Sequence, residues 1–295
     1  RLFKLSNYSV LVRNDPLFLF AVTIHQKRFN KIIYQNSFPH EFEKSSLVKW
    51  IFKCLLKMSS KNVDLVLGVS SQGLSRLKNY FGNVPKYDYI PLCVSKAELA
   101  DKIKKNKSQK IRFIYIGTFD NSRKLEQILQ ACIDSLDYGK HTFTFIGAKE
   151  KEIENLINKT TFNQLSVNNK NRFEFSGKIS RTELLIKMRE FDVGIATIPP
   201  LKKYLEASPT KVVEYASQGL AVLANFEISF NEFFINESRG GILCAFEKNK
   251  ITHGILEILN NKKLNEMKES ALNYTRNRYV YERYASKIMN GSFTK

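Results

Sequence analysis

The sequence predicts an α/β protein built of two Rossmann-like lobes, each with a doubly wound parallel sheet. Three observations carry that prediction. Short β-rich runs alternate with stretches of helical periodicity along most of the 295 residues, the pattern of βαβ units. Turn-forming residues punctuate the runs, as at Gly117. A lysine-rich polar stretch, "VSKAELADKIKKNKSQK" (94–110), parts the series into a shorter and a longer half and reads as a linker.

In the shorter half, "YSVLVRN" (8–14), "KIIYQNS" (31–37) and "VDLVLGVS" (63–70) read as strands. "PLFLFAVTIHQKRF" and "SSLVKWIFKCLLKM" are the helices between them, and "SQGLSRLKNYFG" (71–82) is a helix stopped by a glycine cap. In the longer half, strand "IRFIYIGTF" (111–119) leads to helix "RKLEQILQACIDSL" (123–136), and "HTFTFIGA" (141–148) to helix "KEIENLINKTTFNQL". Then come "RFEFSG" (172–177), helix "RTELLIKMREF" (181–191), strand "DVGIATI" (192–198), helix "TKVVEYASQG" (210–219) and strand "AVLAN" (221–225). "GGILCAF" (240–246) closes the series. The expected domains are 1–108, 109–275 and a last helical segment 276–295. The first lobe reads as lacking an opening βα unit, and the chain begins at Arg1 rather than Met, so an incomplete N-terminus is expected.

Composition narrows the function classes. Four cysteines, Cys54, Cys93, Cys132 and Cys244, lie far apart in apolar or helical surroundings, which fits buried reduced thiols and a cytoplasmic setting. No metal-ligand spacing occurs among Cys and His. The longest apolar run, "LFLFAV" (17–22), is far too short to span a bilayer. Residues 1–110 hold 20 Lys and Arg against 7 Asp and Glu, which is +13 of the total +19. Such asymmetry points to an anionic partner, although drift toward Lys, Asn and Ile gives the same count. No helix-turn-helix, RNA-binding signature or zinc spacing supports nucleic acid as that partner.

Two segments stand out. "EASPTKVVE" (206–214) spaces two acids around a helix-opening signal, because Pro209 suits a first turn where its missing N–H is not needed. The free N–H groups of that turn and the dipole favour an anion such as phosphate. Glu206 before the turn and Glu214 inside it could accept from hydroxyls of a nucleotide-sugar, with Lys211 adding charge. Spacing alone is also met by acids complementing a helix N-terminus. "KSSLVKWIFKCLLKMSSK" (44–61) repeats Lys49, Lys53, Lys57 and Lys61 beside an apolar surface containing Trp50, the lone tryptophan. That arrangement suits an anionic membrane surface, or a core-packed helix with a solvated lysine face.

"EASPTKVVEYASQGLAVLAN" resembles the E-x7-E signature of the retaining glycosyltransferases of family 4, the glycosyl transferases of group 1, which have the GT-B fold. "FIYIGTFDNSRKLEQILQA", "FEFSGKISRTELLIKMREFDVGIATIPP" and "ESRGGILCAFE" are similar to further donor-domain segments of that family, in the family's order. The resemblance covers most of 63–290. It implies that Glu206 contacts the donor sugar, Glu214 the ribose, and the backbone of Ala207, Ser208, Pro209, Thr210 and Lys211 the diphosphate. Lys124 matches the lysine that neutralises the leaving phosphates. The family pairs it with an arginine after the strand glycine, Gly117; here that place holds Thr118, and Arg123 is the candidate substitute or a solvated surface residue. Gly177, Lys178 and Ile179 would lie against the base. On the acceptor side the family histidine is replaced by Asn36, with His40 four residues on as a candidate or a plain loop residue. His25 reads as structural.

The implied fold is GT-B with a cleft between its domains, and no metal or other cofactor is implied. The implied reaction is retaining transfer from a nucleotide-sugar to a glycan or lipid-linked acceptor in cell-surface polysaccharide or glycolipid synthesis. It would take place on the cytoplasmic face of the membrane, with the protein peripherally bound. A GT-B epimerase and an inactive GT-B binding protein are the alternatives.

Overall fold

A computed structural model describes residues 8–37, 45–82, 86–106, 110–205 and 209–290, with side chains through 285. Two compact units emerge: Arg1–Leu92 with Leu201–Ser208 and Lys287–Lys295, and Cys93–Pro200 with Pro209–Ser286.

The first unit holds β1 (Tyr8–Arg13), α1 (Pro16–Ile24), β2 (Phe29–Asn36), α2 (Ser46–Ser59), β3 (Leu65–Gly68), α3 (Ser71–Phe81) and β4 (Tyr87–Tyr89). Its four strands are parallel and lie in chain order, β1-β2-β3-β4. Each helix start is capped by the residue chemistry that favours it: Asp15, Ser45 and Ser70 accept from Phe18, Val48 and Gly73 backbone N–H. α3 ends where Gly82 takes φ 75°, as its glycine predicts. Val12, Leu19, Ile32, Tyr34, Leu56, Val66, Leu77 and Phe81 form one buried cluster beneath the helices. β4, three residues ending close before Pro91, was not predicted; α1 stops at Ile24, where His25 caps it, rather than running on to Phe29.

The second unit runs β5 (Ile111–Ile116), α4 (Leu125–Asp134), β6 (His141–Ile146), α5 (Glu150–Asn158), the short α6 (Val167–Lys170), β7 (Phe173–Ser176), α7 (Arg181–Met188) and β8 (Val193–Ile195). After the short α8 (Lys202–Leu205), which groups with the first unit, it continues with α9 (Thr210–Ser217), β9 (Ala221–Asn225), α10 (Ser229–Ser238), β10 (Gly241–Cys244), α11 (Lys248–Leu259), α12 (Leu264–Arg278) and the start of α13 (Tyr281–Asn290), which groups with the second unit as far as Ser286. All six strands are parallel in the order β10-β9-β8-β5-β6-β7. The chain thus winds outward from β5 in one direction, then returns to β8 and winds in the other. That reversal between β5 and β8 is the topological switch point, where open α/β sheets place ligands.

Alternation along the strands builds both layers. Phe113 and Tyr115 of β5 face one buried cluster with α4 and α11; Ile114 and Ile116 face the other with α9, α10 and α12. Register stacks Phe113, Phe143 and Phe173 at 5.1 and 5.4 Å, and Tyr115, Phe145 and Phe175 at 5.8 and 5.3 Å. The stretch read as a linker is fastened to this unit instead. Ala100 N–H donates to the Ser217 carbonyl, and Asn106 N–H to the Asn265 side chain. The Lys268 ammonium reaches the Lys104 carbonyl at 2.6 Å and Asp192 at 3.0 Å, both charged side chains being buried. The boundary accordingly falls after Leu92 rather than after 108.

Candidate functional site

The carboxyl ends of β5, β6 and β7 are laced together: Gly117 N–H donates to the Ile146 carbonyl, and Gly147 N–H to that of Ser176. Gly147 sits at φ 121°, and a Cβ there would stand 2.3 Å from the Gly117 oxygen, so only glycine lets these two loops touch. On the other side of β5, Gly194 of β8 leaves room for the Tyr215 ring, which a Cβ would approach to 2.1 Å. Tyr215 is fully buried, and its hydroxyl accepts from the Ile116 N–H at 2.8 Å. Burial pushes its pKa well above the usual phenol range, so it is neutral. This one ring pins α9 to the last residue of β5, beside the switch point.

α9 begins with Pro209 as N-cap and no side chain capping its first turn. One turn further in, Glu214 is buried, and both of its carboxylate oxygens are engaged: Lys211 donates to one at 2.6 Å and Arg181 to the other at 3.2 Å. Arg181, the first residue of α7, also grips Glu98 with two hydrogen bonds of 3.0 Å. The Arg181 bond holds the Glu98 carboxyl below its usual range despite partial burial, and Glu98 in turn raises the Arg181 guanidinium. Glu98 completes a capping box with Ser95, whose hydroxyl donates to Glu282 at 3.0 Å. A chain of charges therefore runs from the 95–98 turn through α7 to α9. Sequence reasoning named Lys211 and Glu214 but missed Arg181 and Glu98, which lie 83 positions apart and meet only in the fold.

The loop after β5 carries Thr118, exposed, whose hydroxyl donates to Asp120 at 2.5 Å. Asp120 also accepts from the Ser122 N–H and hydroxyl and lies 3.8 Å from the Arg123 guanidinium. Burial raises this carboxyl, but those hydrogen bonds and the Arg123 charge outweigh it and leave it below the usual range. Lys124 follows in the left-handed region, at φ 49° and ψ 45°, as the N-cap of α4, with its side chain exposed. A non-glycine residue held there costs about 1 kcal/mol or more of strain, a cost met most often at functional sites. After β7, Gly177 and Lys178 are exposed, while Ile179 packs on the core beneath α7 and α9. Glu206, Ala207 and Ser208 lie outside the described residues, so the first acid of the E-x7-E pair has no place in this geometry; His40 lies outside them as well.

In the first unit Asn36, at the end of β2, is buried and accepts from Arg76 of α3 at 2.8 Å. α2 divides its apolar residues. Leu56 faces the core, whereas Leu47, Trp50, Ile51 and Met58 share the opposite face and are exposed, Trp50 by 62%. Lys53 and Lys57, exposed, run alongside that stripe, Lys61 follows past its end, and Lys49 is half-buried. Among the described residues no three of His, Cys, Asp and Glu could share a metal ion, and no helix is long and apolar enough to cross a membrane. His141 sits at the opposite, amino end of β6, buried against Ser135 and Arg172, away from the switch-point loops.

The family model of the glycosyl transferases group 1 matches residues 96–278, more than half the chain. The chain belongs to this family. A group 1 glycosyl transferase should share the GT-B architecture, and solved structures of that fold match across nearly the whole chain. Sucrose-phosphate synthase from Thermosynechococcus elongatus aligns with a TM-score of 0.72 at 15% identity, over 96% of this chain and 72% of that one. An alpha,alpha-trehalose-phosphate synthase (UDP-forming) from Burkholderia xenovorans, in complex with glucose-6-phosphate, gives 0.73 at 13%, over 97% and 72%. Anabaena Alr3699/HepE in complex with UDP and glucose gives 0.70 at 13%, over 95% and 77%. At these identities the likeness shows the fold alone. A search of curated proteins finds no match.

Proposed function

We propose that this glycosyltransferase takes a sugar from a nucleotide-sugar, with retention, using the second unit as donor site and the first as acceptor side. The observation that carries the reading is α9, fastened by Tyr215 to the end of β5 with its uncapped N-terminal turn, Lys211 and Glu214 at the switch point. In this reading the diphosphate rests on that turn and on Lys211 and Lys124, and Glu214 holds the ribose. Arg181 keeps the Glu214 carboxylate aimed until the diol replaces one of its bonds. Glu206 and the 207–208 backbone take the sugar and phosphate roles that the family resemblance gives them, with Gly117, Thr118 and the Gly177–Ile179 loop around the nucleotide.

The bond from the anomeric carbon to the diphosphate breaks as one to an acceptor hydroxyl forms, through an oxocarbenium-like transition state. Positive side chains and the helix N-terminus take up the charge of the departing diphosphate, the task a metal performs in other transferases, so no metal is needed. UDP is the base to try first, since the Anabaena neighbour is a UDP complex. The acceptor is a glycan or lipid-linked glycan, reached at the cytoplasmic face of a membrane on which the exposed stripe of α2 and its lysines rest.

Calorimetric titration with UDP, GDP, ADP and their sugar conjugates tests the donor site. Saturable binding of one base series is expected, weakened about tenfold or more in Glu214→Ala; a folded sample that binds no nucleotide would sink the reading. An inverted anomeric centre in the product would remove retention. Flotation on phosphatidylglycerol vesicles should fall in Leu47→Ser/Met58→Ser, and equal flotation of both proteins would remove the membrane contact. One observation favours a binding protein without turnover: Arg123, the substitute for the family arginine, is paired with Asp120. Donor binding with no transfer to any acceptor would establish that reading instead.

A further inference from the structure

Glu98 stands out among the charged groups around α9, because a carboxylate near a site for a diphosphate weakens the attraction on which that site depends. The fold has other fastenings at this place. The Glu98 carbonyl accepts from the Gln218 amide at 2.7 Å, Ala100 N–H donates to the Ser217 carbonyl, and Val94 N–H donates to that of Tyr279. The Lys96 N–H and the Ser95 hydroxyl both donate to Glu282 of α13 at 3.0 Å, which caps the 95–98 turn from outside it. Against these, the bond of the capping box from Ser95 N–H to the Glu98 carboxylate is long, at 3.4 Å.

What the Glu98 side chain does is divide a guanidinium. Nε and Nη2 of Arg181 each donate to one oxygen of Glu98 at 3.0 Å, the paired geometry that arginine and carboxylate favour. Nη1 reaches Oε1 of Glu214 at a longer 3.2 Å, while Lys211 holds Oε2 at 2.6 Å. Glu214 thus receives the end of the guanidinium rather than its paired edge. With no acid at position 98 the same fork would turn onto Glu214 and take up the lone pairs that a diol needs. We propose that Glu98 is a positioning residue for ribose recognition: by occupying the paired edge of Arg181, it leaves Glu214 an oxygen that a ribose hydroxyl can claim, and so makes the site select nucleotides that carry the 2′,3′-diol. The inference rests on the reading of α9 as the donor site and adds to it a residue that acts through Arg181 alone.

Calorimetry on the whole chain tests this with UDP (or GDP or ADP, if that is the base bound), the 2′,3′-dideoxy analogue of the same nucleotide, and pyrophosphate. Wild type should bind the nucleotide about tenfold or more tighter than the dideoxy analogue. In Glu98→Gln that preference should fall toward one, while pyrophosphate binds no more weakly, because a negative charge has gone. The preference should return in part in Glu98→Gln/Arg181→Gln, where no fork remains to cover Glu214; damage to the fold would not be repaired by a second loss. Glu98→Gln/Glu214→Gln should match Glu214→Gln alone, since the two residues act on one contact. A preference kept in Glu98→Gln overturns the inference and leaves the donor site standing. So does a preference lost equally in Glu98→Gln and in the Arg181 double variant, which would make Glu98 a support of the fold only. Equal binding of both nucleotides by wild type overturns ribose recognition by Glu214 and this inference with it. Binding of no nucleotide at all removes the donor site itself.

Discussion

In the second unit six strands run outward from β5 and then outward again from β8, and both faces of the sheet carry a buried cluster. In the first, four strands follow one another in chain order, with one buried cluster among the described residues. The carboxylates differ in the same way. Asp192, Glu98 and Glu214 of the second unit are paired with Lys268, Arg181 and Lys211. The described acids of the first unit, Asp15, Asp64 and Asp88, each accept a backbone N–H, from Phe18, Ile32 and Tyr89. Lys53, Lys57 and Lys61 of this unit stand exposed. One unit uses electrostatics to fix a geometry, and the other to present a face; substitutions should separate the two.

The deepest difference is the Asp192–Lys268 pair. Both side chains are almost fully buried, and Asp192 also accepts from the Arg112 N–H at 3.0 Å. Asp192→Ala leaves a buried ammonium with only the Lys104 carbonyl, so the second unit should lose about 3–5 kcal/mol. Urea unfolding read by hydrogen exchange checks this, with amides of β5, β8 and α12 opening first. A loss below about 1 kcal/mol would break the contrast.

Next comes pH. Burial, and then the Arg172 charge, lower the His141 pKa from 6.5 to about 4. The folded protein therefore holds this ring neutral, while the unfolded chain takes up a proton below 6.5. Stability from this group is complete above pH 6.5 and is lost as pH falls toward 4, on the order of 3 kcal/mol in all. Thermal midpoints from pH 7 to pH 4 should fall less steeply in His141→Gln. Parallel curves would show that the ring is not the cause.

Smaller, but nearer the site, is Tyr215→Phe. It strips the acceptor from the buried Ile116 N–H, a cost of about 1–3 kcal/mol. If that hydroxyl sets the position of α9, nucleotide affinity should fall with stability, although Tyr215 is fully buried and leaves the first turn of α9 untouched. Unchanged affinity at lowered stability would make the ring a packing residue only.

Much of this was legible in the sequence. β-rich runs and caps located most strands and helices, because alternation and N-cap chemistry are local signals. Strand order was not local, and with it went the switch point that gives α9 its meaning. α11 and α12 lie beyond Phe246, where the strand–helix alternation of the sequence stops. Lys268 looks like a surface lysine until Asp192, 76 positions earlier, is brought beneath it. Arg181 carried no signal beyond following a capping serine, since its partner Glu98 lay in a stretch whose lysines read as linker. On α2 the sequence left a membrane-facing and a core-packed helix open, because burial depends on neighbours that no periodicity contains.

That choice yields the smallest expected effect and the sharpest use of the comparison. Leu47 and Met58 are exposed by 66% and 62%, so their side chains already stand in water in this unit. A core reading of α2 predicts that Leu47→Ser and Met58→Ser each cost 2 kcal/mol or more, as buried truncations do. The surface reading predicts changes within about 0.5 kcal/mol, since little apolar area is lost from the interior. Chemical denaturation of the two variants decides between them. A small change shows that the fold tolerates these residues without needing them, and leaves their presence to be explained by what the stripe touches.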